Sequence, residues 1–135
     1  MSGRAETLQR IDDALVEVGA IEAVVRAARR GHAPGIDRDE LSRRFRAIAH
    51  AGTGHHVFTP VQELAALAEE VTDGTDRSVL HSEQEIEVVQ HAADVLSLLL
   101  RDMGLQLLGR RGGDVALVAG ALRERLEHVL LAARR

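Results

Sequence analysis

The 135-residue chain contains no cysteine, no lysine, no tryptophan and no tyrosine. Lacking cysteine, it can form no disulfide, offer no thiolate nucleophile and hold no metal through sulfur. Lacking lysine, it can run no Schiff-base chemistry, and all 17 of its basic residues are arginines. Its aromatic residues are Phe45 and Phe58 alone, too few for base stacking or an aromatic cage. Positive charge is also in deficit: 21 acidic residues leave a net charge of -4, which argues against a nucleic-acid partner, because phosphate binding draws on a surplus of cations. No apolar run approaches the roughly 18–20 residues that a membrane span requires. The opening MSGRAETLQR has no apolar segment behind its charge. We therefore expect no secretory leader and a cytoplasmic protein with no membrane contact.

What is present suits helices. With 45% hydrophobic and 28% charged residues, the chain has the composition of a globular protein and the length of a single domain over 1–135. From about Arg4 to Arg30, Leu8, Ile11, Leu15, Val18, Ile21, Val25 and Ala28 recur every three or four residues, the period of an amphipathic helix that Gly19 could bend. Gly31 to Gly35, with Pro34, predicts a break. A second helix begins after Asp37, a suitable N-cap with Glu40 three residues on. Thr59, Pro60 and Gln62 have the order of a capping box opening a third helix to about Thr72, and Asp73 to Asp76 form a turn. Ser82 and Glu85 open a fourth helix to about Leu108, in which Gly104 permits a bend. Gly109 to Gly113 make a turn, and Asp114 caps a fifth helix. No segment alternates with the period of a strand. The fold class expected is all-α, an up-and-down bundle of about five helices.

One stretch stands apart, RRFRAIAHAGTGHHVF at 43–58. Wound as a helix from Leu41, it places Leu41, Phe45, Ile48 and Gly52 on a core-facing stripe roughly 140–180° from His50. Arg43, Arg46 and Gly54 fall within about 40° of His50, and Thr53 about 60° away. His50 is thus expected to face solvent, where an imidazole can act as a nucleophile, with two guanidinium groups upstream to offset phosphate charge. Gly54 would leave room for another protein to approach.

Other constellations are weaker. His50, His55 and His56 are separated by five and six residues, not the three and four that align ligands on a helix. Glu87 with His91, and Glu124 with His128, are four apart, whereas carboxylate-bridged metal sites in bundles use glutamate and histidine three apart. GRRGGD at 109–114 lacks the lysine and hydroxyl of a nucleotide loop.

The stretch from His50 to Met103 resembles the histidine phosphotransfer domain, the helical module that passes phosphate between receiver domains or begins chemotaxis-type histidine kinases. The family carries its histidine on the second bundle helix, with lysine three and glycine four residues later; here those places hold His50, Thr53 and Gly54. Leucines fourteen and seventeen residues after the histidine are matched by Leu64 and Leu67. EQEIEVVQHAADVLSLLL resembles the family's fourth helix, with Asp94 before its leucine-rich half. Thr53 departs from the family lysine, and Thr72 stands where chemotaxis-kinase members carry a glutamate; Arg46 or Arg43, and Glu69 or Glu70, are the candidates to stand in. FRAIAH is one residue out of step with the usual phenylalanine–arginine spacing.

The resemblance implies a four-helix core and a phosphotransfer intermediate rather than a turnover enzyme. His50 would be the phosphoacceptor, Arg46, Arg43, Glu69 and Glu70 its neighbours, and Thr53 and Gly54 binding positions. The partners implied are a response-regulator receiver domain or a histidine kinase, with no cofactor on this chain and the divalent metal on the receiver. The leucines of the last two helices permit a homodimer. The alternatives are a degenerate relative that binds partners without taking phosphate, and a metal-binding bundle.

Overall fold

Apolar residues three and four apart form one stripe per helix, and burying those stripes against each other assembles the molecule. A computed structural model describes residues 3–30, 38–52, 54, 56–72, 82–109 and 115–133. These contain α1 (Gly3–Arg29), α2 (Arg38–Ala51), a 3-10 turn (His56–Phe58), α3 (Thr59–Thr72), α4 (Ser82–Leu107) and α5 (Ala116–Ala133), and among the described residues there is no strand. The protein is an all-α helical bundle. The expected break at Gly31 to Gly35, the turn at Asp73 to Asp76 and the caps Asp37 and Asp114 lie outside the described residues. Helix α1 runs unbroken through Gly19, and α4 through Gly104.

Cross-helix contacts set the elements against one another. Arg10 of α1 reaches Ala51 and Glu17 reaches Arg44, so α1 and α2 run antiparallel. Glu69 of α3 meets Arg46 of α2 at 2.7 Å. The end of α1, at Ala28 and Arg29, lies beside Ile86 and Glu87 at the start of α4, which closes α1 to α4 into a four-helix ring. Helix α5 packs on α3 and α4: Arg123 pairs with Glu63, and Arg125 contacts Glu87 and His91. A guanidinium can only donate, so Arg125 Nη1 donates to His91 Nδ1 at 3.1 Å.

Helix α4 touches α1, α3 and α5, and its buried face is correspondingly wide: Val88, Val89, Ala92, Ala93, Val95, Leu96, Leu99 and Leu100 are all sequestered. Helix α1 has fewer neighbours and buries a narrow seam of Ile11, Ala14, Val18, Ile21 and Val25, while Leu8 and Leu15 are only half-buried. Phe45 and Phe58 are completely buried in the same core as Leu41, Ile48 and Leu64. Each such side chain contributes about 1.5–3 kcal/mol of transfer free energy. On the outside, Leu98 and Leu105 of α4, Leu108 just after it, and Leu117 and Leu131 of α5 stay exposed.

Polar groups inside the core bond mainly to their own helices. Thr72 Oγ1 donates to the carbonyls of Ala68 and Glu69, both at 3.1 Å, and Thr7 to Gly3 at 2.8 Å. Asp102 accepts from Gln106 at 2.7 Å through Oδ2, and its Oδ1 has no partner among the described residues. At the other end of α4, Glu85 holds the start of α2 through a two-pronged pair with Arg38, at 2.9 and 2.8 Å. A planar guanidinium matches a carboxylate in that geometry.

Candidate functional site

The end of α2 sets the site. Gly52 is buried, and a Cβ at that position would overlap Cβ and Cγ of Phe58, so only glycine lets the chain leave α2 directly over the Phe58 ring. Gly54 then takes φ +89°, a left-handed conformation that favours glycine. The expected helical wheel fails at this point. The helix stops at Ala51, so Gly54 is not one helical turn below His50 on the same face, and its glycine serves the turn. Thr53 and His55 lie outside the described residues.

His50 is exposed in the last turn of α2, opposite the buried Leu41, Phe45 and Ile48. Its orientation follows from the helical period, as the sequence predicts. The arginines around it point in different directions. Arg46 Nε donates to Glu69 Oε1 at 2.7 Å, drawing that side chain toward α3. Arg43 Nε turns back to the Asp39 carbonyl at 3.4 Å. Arg44 pairs with Glu17 at 3.0 Å and Glu40 at 3.4 Å. The hydrogen bond to Glu17, then the charge of Glu17, raise Arg44 above the ordinary arginine range. A raised folded value stabilises below the unfolded value and is lost only as pH rises through the folded one, so the Arg44 guanidinium stays charged at any ordinary pH.

The expected stand-ins Glu69 and Glu70 lie side by side near the end of α3, and they differ. Glu69 is half-buried against Arg46, whereas Glu70 is exposed. Thr72, at the family glutamate's place, is buried and bonded to its own helix, so it faces the core instead of the imidazole. Leu64 is buried and Leu67 packs on the core, while Asp94 is exposed and accepts from Gln90 at 3.0 Å.

An open groove of about 560 Å³ runs between α1 and α2, lined by Glu6, Gln9, Arg10, Asp13, Glu17, Ala47, His50 and Ala51. The α1 wall escapes sequence reasoning, because it lies about forty residues from His50. The only local sign is that Glu6, Arg10, Asp13 and Glu17 share one polar stripe at spacings of four, three and four. No family model, curated protein or solved structure matches this chain. The likeness to phosphotransfer domains therefore stands on the residues quoted above. Among the described residues, no three histidines or carboxylates gather as a metal site, and no helix is long and apolar enough to cross a membrane.

In chemical terms the groove presents one imidazole, one guanidinium, one amide and three carboxylates. An imidazole can take a phosphoryl group, and a guanidinium can meet its charge. The carboxylates oppose an anion and favour a cationic partner surface.

Proposed function

We propose that the protein is a histidine phosphotransfer module in which His50 accepts and passes on a phosphoryl group. The observation that carries this reading is the exposure of His50 on the outer face of α2, at the rim of an open groove that also holds a guanidinium. In the proposed step an imidazole nitrogen attacks the phosphorus of a partner's aspartyl phosphate in line. The bond from phosphorus to the aspartyl oxygen breaks as the bond to nitrogen forms, and the aspartate leaves as a carboxylate. The receiver supplies the divalent cation that neutralises the phosphoryl oxygens. This chain supplies position, with a receiver domain or kinase docking across the outer faces of α2 and α3.

A second reading draws on the charges. Arg46 is engaged by Glu69, and three carboxylates line the groove, an arrangement suited to a bundle that binds partners without taking phosphate. One assay separates the two. A phosphorylated receiver is offered to wild type and to His50→Gln, and the product is tested for acid-labile, base-stable label. Label on the wild type alone supports phosphotransfer, whereas a retained complex with no label on either supports the binding module. Label on both proteins would remove His50 from the role.

A further inference from the structure

Arg10 belongs to none of the pairs that sequence spacing suggests around His50, yet it is the arginine that shares the groove with it. Its Nη1 donates to the carbonyl of Ala51, the residue after His50, at 2.8 Å. Its Nη2 donates to Glu6 at 3.1 Å. Nε is buried without an acceptor among the described residues, and the side chain as a whole remains 33% exposed. A guanidinium has five N–H donors, so the Nη nitrogens still carry two hydrogens beyond those bonds.

Resting on the phosphotransfer reading, we propose that Arg10, in place of Arg43 or Arg46, supplies the positive charge that a phosphoryl group meets at His50. The bond to Ala51 ties the guanidinium to the turn of α2 that bears the imidazole, so the cation is already placed beside that turn before transfer begins. Arg46 is drawn toward α3 by Glu69, Arg43 turns back along α2, and Arg44 is held by Glu17 and Glu40. Glu6 competes with the phosphoryl group for Arg10, and Asp13 and Glu17 on the same wall oppose the anion. That opposition raises the importance of Arg10, the one arginine lining the groove among the described residues. The missing family lysine at Thr53 is thereby replaced from another helix.

The test uses phosphoramidate, which needs no protein partner. The imidazole nitrogen attacks phosphorus, the bond to the amine nitrogen breaks, and ammonia leaves with the imidazole proton as ammonium. Label at His50 is followed in full-length wild type, His50→Gln, Arg10→Gln, Arg10→Lys and Glu6→Gln, each checked for folding by circular dichroism. Removing one preorganised donor slows a phosphoryl or acyl transfer substantially, so Arg10→Gln should slow uptake at His50 by about 10-fold or more. Arg10→Lys keeps the charge and should stay within about 3-fold of wild type, while Glu6→Gln should accelerate uptake. A brace without electrostatic function would lower the melting temperature of Arg10→Gln and leave uptake per folded molecule unchanged. That result, with His50 labelled normally, overturns the role of Arg10 alone. No label at His50 in the wild type overturns the phosphotransfer reading and this inference together. If Arg10→Gln does not fold, Glu6→Gln decides: faster uptake supports the proposal, and unchanged or slower uptake overturns it.

Discussion

Replacing Gly52 with alanine adds one methyl group at the point where α2 ends. Two effects compete. Alanine gains up to about 1 kcal/mol over glycine through the smaller entropy it loses on folding. Against this, the new Cβ would overlap Cβ and Cγ of Phe58, the root of the ring and not its movable edge. Phe58 is completely buried among core side chains, so neither it nor the end of α2 can yield without moving its neighbours. Overpacking of this kind costs about 1–3 kcal/mol, and with no flexible tip to absorb the overlap the upper part of that range applies, leaving a net loss of about 2 kcal/mol. For a chain of 135 residues the unfolding entropy is about 0.28 kcal/mol/K, so melting should fall by about 7 °C. Circular dichroism at 222 nm measures it directly. A variant melting at or above the wild-type temperature would refute the argument that Gly52 exists for its contact with Phe58.

Gly19→Ala should act in the opposite direction. The added Cβ meets nothing and the residue is exposed within α1, so a gain of about 0.5–1 kcal/mol, seen as a melt about 2–4 °C higher, is expected. Gly54→Ala has open space but the wrong backbone, at φ +89°, and should lose about 1 kcal/mol in a urea titration with no change in slope. Glu69→Gln removes a pair whose Arg46 side chain is 51% exposed, so stability should change by less than about 1 kcal/mol, with the difference shrinking as salt is raised. A larger effect of that substitution in a melt would mean that the pair holds α2 to α3.

The helices were legible because apolar spacing is a local property. Ile11, Val18, Ile21 and Val25 can be placed in the core from their spacing along α1, and they lie there. The wide face of α4 was less legible, since its breadth depends on how many helices surround it. The outward direction of His50 follows from the period of α2, but the same period misleads beyond Ala51, where Gly52 packs on Phe58 and Gly54 turns the chain. The neighbours of His50 across the groove were illegible. Nothing near His50 in sequence points to Arg10, because the two meet only after α1 and α2 fold back on each other. Arg46 and Arg43 share the histidine's face on a wheel, yet Glu69 and the Asp39 carbonyl determine where their charges go.

Helix α5 rests on α3 and α4 outside the ring of the other four, and among its described side chains only Leu122 and Leu126 are fully buried. It can therefore peel away while that ring persists, at a free energy below that of global unfolding. Amide hydrogens of α5 should exchange with deuterated solvent sooner than those in the middle of α4, and the gap between the two rates would measure how loosely this last helix is held.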